Sequence, residues 1–399
     1  MVLRPYAVVL GGRLERGLEV VVERGVIGEI RASSRQPEPY VLSAAFVNAH
    51  SHLEYRGLQG KMREREYWPW IREITEAKRA QDLEGVRADC RLAAEENRRT
   101  GIAVIAEHSD RPFAAEAMAA TGLGGVVFQE VITRFEPEGP HARVMASLGR
   151  AFEQSMAARA LGWNIPSYIS PHAYQTVDEH TLRGIATAGE PFSMHVAETD
   201  LENELTLYGT GVIAETYRRL GVGYSAPGKR LIAILDELGL VRENAQFIHC
   251  CALDESEVEL LASLHVSVAH CPRSNVALNC PAAPVREMLD SGVPVGLGLD
   301  SAASSGPIDM FAEMRCALEV AALREAPLTP EEVWRMATDR GAESLGFAIP
   351  DLGAWRIEAG SRTPLIRIDM SDAETIAEVI GTGSPDRVTR LGPEPLPNP

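Results

Sequence analysis

Short apolar runs alternate with longer amphipathic segments along residues 44–301. Each run is followed by a helix candidate, and the eight runs are AAFVNAHSH, GIAVIAEHSD, GGVVFQEVI, WNIPSYISPH, PFSMHVAE, NAQFIHC, HVSVAHC and PVGLGLDS. The amphipathic segments mostly end in glycine, as helices commonly do. Apolar runs that alternate with helices predict parallel strands buried on both faces. Eight such units predict an α/β fold, a closed (β/α)8 TIM barrel.

The two ends of the chain show a different pattern. YAVVLGG, LEVVVERG and VIGEIRAS alternate apolar and polar positions and are separated by glycines, as β-hairpins are. Near the other end, LIRIDM and DRVTRL are further strand candidates. We therefore expect a small flanking β-sandwich-like domain built from residues 1–43 and 350–399, beside a barrel of residues 44–349. An open doubly wound sheet is the alternative, but no GxGxxG follows a predicted strand, so a dinucleotide-binding fold has little support.

Composition and charge narrow the possible partners. Apolar residues occupy 45% of the 399 positions, which suits a soluble globular protein. The net charge of −17 argues against DNA or RNA as a partner and leaves a small molecule as the expected substrate. No apolar stretch is long enough to span a membrane, and the N-terminal run is too short for a signal peptide. We expect a cytoplasmic protein with reduced cysteines, for which a homodimer is an open alternative.

Most histidines of the chain lie where the predicted strands end. The sequence HSH places His50 and His52 two residues apart, so that on a strand both imidazoles point to the same side. Seven of the 10 histidines follow this pattern, together with several carboxylates; after the first strand these residues are Glu107, His108, His172, His195, Glu198, His249, His270 and Asp300. Active sites of barrels lie at the C-terminal ends of the strands. The clustering therefore predicts an active site at that end.

The residue types in this cluster predict a metal-dependent hydrolytic site. Three imidazoles, from His50, His52 and His195, and the Asp300 carboxylate are a ligand set for zinc, or alternatively iron or manganese. A bound metal lowers the pKa of water from about 15.7 toward about 7. Glu198 follows His195 by three residues and can carry protons as a general acid–base. His249 can hydrogen-bond the attacking oxygen or the leaving group of the substrate.

Five segments carry a resemblance to a known family: FVNAHSHLE, HVAETDLENE, FIHC, HCPRSN and LGLDS. In this order and at these distances they resemble the amidohydrolase superfamily, in its branch of deaminases and chlorohydrolases. The resemblance implies one divalent metal per chain and hydrolytic deamination. It implies that His50, His52, His195 and Asp300 hold the metal. It implies that Asp300 also acts as a base. It implies Glu198 as the proton shuttle and His249 as the residue that orients water and substrate.

The resemblance also bears on the number of metals and on the substrate. Some superfamily members bridge two metals with a carboxylated lysine at a strand end, but Lys61, Lys78 and Lys229 all lie elsewhere, which favours one metal. NAHSHLEYRGLQG, YWPWIREI and HVAETDLENELTLYGTG look like aminodeoxyfutalosine deaminases, which act on the 6-amino group of a modified adenosine in the futalosine route to menaquinone. HLEYR, PHAYQTV and LNCPAAPV depart from that pattern near the expected pocket.

Several alternatives stay open for the substrate and for the remaining residues. Methylthioadenosine or adenosylhomocysteine deamination is the nearest rival, followed by a chlorohydrolase and by a barrel without catalysis that serves as a binding protein. Expected substrate contacts are His172, Trp70 and Glu54, with Trp68 as a further pocket residue. We expect structural roles for Glu107, His108 and His270, and an acidic helix start for Glu202 and Glu204.

Overall fold

A computed structural model describes residues 1–135, 139–349 and 351–391. Its strands, in chain order, are β1 (Val2–Leu3), β2 (Pro5–Leu10), β3 (Arg13–Glu15), β4 (Leu18–Glu23), β5 (Val26–Ala32), β6 (Glu38–Ala44), β7 (Phe46–Ser51), β8 (Ile102–Ser109), β9 (Gly124–Val131), β10 (Ser167–Pro171), β11 (Phe192–Val196), β12 (Ala245–His249), β13 (Ser267–His270), β14 (Val295–Leu297), β15 (Leu365–Asp369) and β16 (Val388–Leu391).

Strands β7 to β14 form the predicted TIM barrel. They make two parallel four-stranded sheets, ordered β10-β9-β8-β7 and β11-β12-β13-β14. Two parallel bridges join the sheets into a closed ring, one between Ser51 and Asp300 and one between Ala173 and His195. All eight apolar runs are therefore strands of one barrel, and that prediction is confirmed.

The helices lie mainly between the barrel strands. They are α1 (Tyr67–Ala80), α2 (Leu83–Arg99), α3 (Ala114–Thr121), α4 (Pro140–Ala160), α5 (Glu179–Ala188), α6 (Asp200–Tyr208), α7 (Gly211–Leu220), α8 (Leu231–Glu237), α9 (Glu255–Ser263), α10 (Pro272–Ala277), α11 (Val285–Asp290), α12 (Met310–Leu323), α13 (Pro330–Met336), α14 (Asp339–Glu343) and α15 (Ile376–Thr382). Short 3₁₀ turns cover Leu53–Leu58, Tyr174–Thr176 and Pro385–Arg387. Side-chain caps begin several of the helices: Asp82 begins α2, Asp178 begins α5 and Asp254 begins α9.

Strands from both ends of the chain share one sheet beside the barrel. Its order is β16-β15-β6-β2-β3, and β15 pairs antiparallel with β6, so that Leu365 lies opposite Ala44. A second sheet has the order β1-β4-β5. The division into a barrel at 44–349 and a flanking domain of residues 1–43 and 350–399 stays a prediction, and within it residues 350 and 392–399 lie outside the described part of the chain.

The two largest hydrophobic clusters among the described residues hold the site in place. The larger one fills the barrel and the space under its helices, where Phe46 packs edge-on against Phe311. The smaller one lies beyond the C-terminal ends of the strands and joins the 3₁₀ turn after β7 to α1 and α7, through Leu58, Tyr67, Trp68, Ile213 and Tyr217. The strands therefore fix the floor of the site, whereas α1 and α7 form its wall. Within the described ranges, no helix is both long and apolar enough to cross a bilayer.

Candidate metal centre and active site

The bridge that joins β7 to β14 brings three of the predicted metal ligands together. The Asp300 N–H donates to the His50 carbonyl at 2.9 Å, and the His52 N–H donates to the Asp300 carbonyl at 3.1 Å. As a result, Asp300 Oδ1 lies 3.5 Å from His50 Nε2 and 3.7 Å from His52 Nε2. Ligand atoms of the three residues all lie within 4.8 Å of one another.

The second bridge places the fourth predicted ligand. The His195 N–H donates to the His172 carbonyl at 3.0 Å, which ties the end of β11 to the segment after β10. The rings of His50 and His195 lie 5.1 Å apart, and the His52 and His195 rings are stacked at 5.5 Å. The structure thus brings all four predicted ligands to one point at the end of the barrel.

Hydrogen bonds leave the metal-facing nitrogens of these histidines free. His52 Nδ1 lies 2.9 Å from the His108 carbonyl, and His195 Nδ1 lies 2.9 Å from the His172 carbonyl. Because a carbonyl can only accept, each Nδ1 carries the hydrogen and each Nε2 keeps a lone pair. His50 Nε2 is buried and has no hydrogen-bond partner among the described residues. Burial also lowers the pKa of His50 and His52 well below the usual value, which keeps both rings neutral.

Hydrogen bonds also leave one oxygen of the Asp300 carboxylate free to face the histidines. Asp300 Oδ2 accepts hydrogen bonds from the hydroxyls of Ser274 and Ser304, so Oδ1 is the oxygen that faces the histidines. Burial raises the pKa of Asp300, but His52, His249 and Ser274 lower it by more, and the net pKa lies below the ordinary value. Three neutral imidazoles and one ionised carboxylate fit a divalent metal ion.

Glu198 lies beside this set in a buried position. Its Oε2 is 3.5 Å from His249 Nε2, and the Cys280 thiol contacts its Oε1 at 3.8 Å. Glu202, at the start of α6, accepts the backbone N–H groups of Glu198 and Ala197 and so holds the turn. Burial, and then the charges of Asp300 and Glu202, raise the pKa of Glu198 well above the ordinary value. A carboxyl with a raised pKa is suited to proton transfer near neutral pH.

His249 has the opposite tautomer from His52 and His195. Its Nδ1 lies 3.0 Å from Asn275 Nδ2. An amide NH₂ can only donate, so Nδ1 accepts and the ring hydrogen lies on Nε2, which faces Glu198. His249 has a ligand atom within 4.8 Å of those of His50 and His195, yet this tautomer presents a hydrogen-bond donor to the site. The geometry therefore favours the predicted orienting role over metal ligation.

The backbone is strained at two of these positions. Asp300 has φ of 52° and His249 has φ of 71°, a left-handed conformation that costs residues other than glycine about 1 kcal/mol or more. Both residues follow or end barrel strands. Each side chain thus leaves the end of its strand from a left-handed backbone position.

A pocket of about 320 Å³ opens above these groups. The polar groups on its floor are His52, His195, Glu198, His249 and Asp300. The aromatic residues of its wall are Tyr55, Tyr67, Trp68, Trp70 and Phe135. The residues at its mouth are Arg72, Thr75, Glu76, Arg79 and Arg219. The predicted contacts His172 and Trp70 line the pocket, as does Trp68.

Glu54, the third predicted substrate contact, does not line the pocket. Its carboxylate is buried and accepts the backbone N–H groups of Asp110 and Arg111. Lys78 Nζ lies 3.7 Å from Glu54, 3.5 Å from Asp110 and 2.5 Å from the Tyr55 hydroxyl. The geometry gives Glu54 a part in holding this wall of the pocket.

Sequence reasoning missed several residues that the fold brings to the site. Asn275 lies within the motif HCPRSN, but only its contact with His249 reveals a role. Glu130, at the end of β9, is buried 3.9 Å from His195 Nδ1, and burial raises its pKa to about 8. In the sequence, Glu130 could have been found as a glutamate at the end of an apolar run that forms a strand. His270, by contrast, lines a separate cavity with Cys280.

A closed barrel with a buried histidine–aspartate centre defines the chain as a metal-dependent barrel enzyme. The sequence model of the amidohydrolase family matches residues 41–390, and the chain belongs to that family. A 5-methylthioadenosine/S-adenosylhomocysteine deaminase of Natronomonas pharaonis is 30% identical over 355 residues, which are 86% of this chain and 77% of that protein. A 5′-deoxyadenosine deaminase of Methanothrix thermoacetophila is 27% identical over 389 residues, which are 93% and 86% of the two chains. The protein is therefore a hydrolytic aminohydrolase.

Solved structures agree on the fold. An adenosine deaminase from Xanthomonas campestris with bound zinc superposes with a TM-score of 0.82 at 24% identity, covering 97% of this chain and 90% of that one. A guanine deaminase from C. acetobutylicum with bound guanine gives 0.79 at 17% identity and covers 98% of both chains. At these identities the likeness establishes the shared architecture alone. The prediction of an enzyme is confirmed, and the family and the relatives exclude the alternative of a barrel without catalysis.

Proposed function

We propose that the protein is a metal-dependent deaminase that hydrolyses the exocyclic amino group of an adenosine-type nucleoside. The observation that carries this proposal is the pairing of buried Glu198 with the Nε2–H of His249 beside the ligand set. Deaminase relatives near 30% identity over most of the chain support the choice of an amine as leaving group. The net charge of −17 supports a small heterocyclic substrate over a nucleic acid.

We propose zinc as the metal, held by His50, His52, His195 and Asp300. When bound, the metal would supply Lewis acidity, which makes water a nucleophile at neutral pH. The chain's own residues fit this role because the surrounding hydrogen bonds leave free the Nε2 lone pairs of His52 and His195 and one carboxylate oxygen of Asp300. His50 Nε2 is buried and has no partner among the described residues.

The remaining chemistry is proton transfer and orientation. Water adds its oxygen to the ring carbon that bears the amino group, and Glu198 accepts the proton that water releases. Glu198 delivers this proton to the ring, then takes the second proton from the added hydroxyl and delivers it to the departing amine, so that the products are an oxo ring and ammonia. His249 donates its Nε2–H to the oxygen that is added. The aromatic wall, with Tyr67 and Trp70, packs against the flat ring and limits the access of bulk water.

For the physiological substrate we propose 6-aminodeoxyfutalosine, acted on in the cytoplasm in the futalosine route to menaquinone. The segment YWPWIREI, which looks like aminodeoxyfutalosine deaminases, supports this choice because it forms the first part of α1 and lines the pocket. Methylthioadenosine, adenosylhomocysteine and 5′-deoxyadenosine are the alternatives, and the names of the relatives support these.

Ammonia release by zinc-loaded protein tests the proposal. Aminodeoxyfutalosine, methylthioadenosine, adenosylhomocysteine, 5′-deoxyadenosine and adenosine are compared at equal concentration, together with a chlorinated triazine assayed for chloride. We expect ammonia from the adenosine-type compounds, with the highest kcat/KM for aminodeoxyfutalosine. Chloride release without ammonia release would overturn the deaminase proposal. A preference for methylthioadenosine would keep the reaction and replace the substrate.

A further inference from the structure

A second cavity lies behind the pair of Glu198 and His249, between α10 and α12. Its volume is about 230 Å³, and among the described residues it shares no lining residue with the active-site pocket. Apolar side chains such as Ala283 and Val320 make up most of its surface. Leu323 also lines the cavity and is 85% exposed, so the cavity opens to solvent at the end of α12.

Two polar side chains in this cavity have an atom without a hydrogen-bond partner among the described residues. The atoms are His270 Nδ1 and Asn275 Oδ1. Both residues are buried, at 2% and 4% exposure. A buried polar atom without a partner is unfavourable, and a ligand that pairs with it removes the penalty. The two atoms therefore point to a ligand that carries hydrogen-bonding groups.

The second cavity meets the catalytic groups at two points. Asn275 Nδ2 lies 3.0 Å from His249 Nδ1, and the Cys280 thiol lies 3.8 Å from Glu198 Oε1. Asn275 and Cys280 both line the cavity as well. At each point a single side chain separates the cavity from a group that acts in the reaction. An occupant would therefore contact the partners of both His249 and Glu198.

Among the described residues, the lining of the second cavity has no unpaired charge. Burial lowers the pKa of His270 to about 4, so its ring is neutral at pH 7. Burial, followed by the charge of Glu198, raises the pKa of Cys280 far above the usual value, so its thiol is not ionised. Arg324 lines the cavity but donates to Glu287 at 3.0 Å. The cavity is therefore suited to a neutral ligand.

The size of the cavity and its polar atoms define the class of ligand. The volume lies below the about 300–1,000 Å³ of pockets for drug-sized ligands, so it suits a molecule of one ring. Asn275 Oδ1 can only accept, so the ligand must donate an N–H or an O–H, whereas a neutral histidine ring can donate or accept. A cyclic amide offers an N–H donor beside a carbonyl acceptor on an otherwise apolar ring.

We propose that the second cavity binds a neutral cyclic amide and that this ligand raises turnover through Asn275. A donor on Oδ1 fixes the amide of Asn275 in the orientation in which Nδ2 donates to His249, and it polarises that N–H so that it donates more strongly. His249 is then held more firmly with its hydrogen on Nε2. The effect on turnover rests on the deaminase function proposed above, whereas the binding does not.

Two isomers of one compound test the binding. 3-Methyl-2-pyridone has an N–H donor beside its carbonyl, whereas 1-methyl-2-pyridone has the same atoms and no donor. In calorimetric titrations of zinc-loaded protein we expect a Kd of about 1 mM for the first isomer, as its small size allows. The second should bind about tenfold more weakly, because it leaves Asn275 Oδ1 unpaired. Equal binding of the two isomers would overturn the proposal.

Val320→Phe tests where the probe binds. The larger side chain fills the cavity from α12, so the variant should lose the binding of 3-methyl-2-pyridone and keep the wild-type kcat. Glu319→Gln is the matched control, because Glu319 is the preceding residue, is exposed and does not line the cavity. This control should bind the probe as the wild type does. Binding that persists in Val320→Phe would place the probe elsewhere and overturn the proposal.

Ammonia release at a saturating concentration of 3-methyl-2-pyridone measures the effect on turnover. We expect kcat to rise by about 1.5-fold to twofold, with the KM of the nucleoside unchanged, because the cavity and the pocket are separate. The rise should be absent in Asn275→Ala. A raised KM would show that the probe competes for the active-site pocket, and either this result or an unchanged kcat would refute the effect on turnover.

The deaminase function and the second site can fail separately in these experiments. If no nucleoside releases ammonia while the two isomers and Val320→Phe behave as expected, the reaction is wrong and the binding site stands. If ammonia is released while the two isomers bind equally well, the reaction stands and the binding site is wrong.

Discussion

The histidines of the site differ in which nitrogen carries the hydrogen, and this difference separates their roles. Backbone carbonyls fix His52 and His195 with the hydrogen on Nδ1, whereas the Asn275 amide fixes His249 with it on Nε2. The sequence gives no sign of this division, because the partners that set it lie 23 to 56 positions away. Only the spacing HSH, which places two imidazoles on one side of a strand, could be inferred from local pattern.

Asn275→Ala should lower kcat by about tenfold or more while the zinc content stays at the wild-type value. The variant removes the donor that keeps the hydrogen of His249 on Nε2, and it leaves the four metal ligands untouched. Because Asn275 acts through His249, the double variant with His249→Ala should be no slower than His249→Ala alone. Additive losses in kcat would show that Asn275 acts on the reaction by another route.

Glu198→Gln should lower kcat by about 10²- to 10⁴-fold, since the variant removes the proton carrier. Metal analysis should still find zinc bound as in the wild type, because the amide is isosteric and lies outside the ligand set. Glu204→Gln, further along α6, is the control and should keep full activity. Loss of zinc from the Glu198 variant would make this residue a ligand and refute the assigned role.

At the scale of elements, the barrel strands could be predicted and the pocket wall could not. Eight apolar runs bounded by polar residues give strands because a parallel barrel buries both faces of each strand. The segment YWPWIREI forms helix α1, and its position depends on contacts distant in sequence, such as the Trp68 indole N–H donating to Thr216 at 3.1 Å. The loop between β11 and β12 likewise holds three helices, α6 to α8, where one was expected. The arginines of the mouth lie on these helices.

Asp178→Ala should lower the free energy of unfolding by about 1 kcal/mol at pH 7, because Asp178 caps α5. Burial raises the pKa of Asp178, but hydrogen bonds from Thr181 and Thr133 lower it by more, so the net pKa is depressed. A depressed pKa gives stability that is present above the unfolded-state pKa, near 3.9, and is lost as pH falls through the folded-state value.

Urea titrations at several pH values measure this effect. The difference between wild type and Asp178→Ala should be full at pH 7 and should shrink below about pH 4, when the wild-type carboxylate takes up its proton. Glu179→Ala, at the next position and exposed, should change stability by less than half as much. A difference that stays constant down to pH 2.5 would mean that the charge of Asp178 does not contribute.

At the scale of the whole molecule, the metal centre couples chemistry to stability. The four residues that we propose as ligands come from three separate parts of the chain and converge at a buried point. A ligand that binds only the folded state stabilises it by about 4 kcal/mol when its free concentration is about a thousand times its Kd. The site is therefore expected to contribute to folding as well as to catalysis.

Removal of zinc with a chelator should lower Tm by several degrees, and added zinc should restore it. Differential scanning calorimetry of wild type and of Glu198→Gln, each with and without zinc, measures the shift. Both proteins should respond equally, because Glu198 is outside the ligand set, whereas Asp300→Ala should respond far less. An unchanged Tm in the wild type would place the metal elsewhere or exclude tight binding.

The two bridges that close the barrel have a consequence for how the enzyme assembles. His50 and His52 lie at the end of a strand of the first four-stranded sheet, whereas His195 and Asp300 lie at the ends of strands of the second. Each half of the barrel therefore supplies two of the proposed ligands, and neither half alone can complete the set. During synthesis on the ribosome, we therefore expect the complete ligand set to form only after Asp300 has emerged and the halves have met. If the chain is divided before β11 and the two fragments are co-expressed, they should form an active enzyme only when metal is present. The deaminase activity measures their assembly.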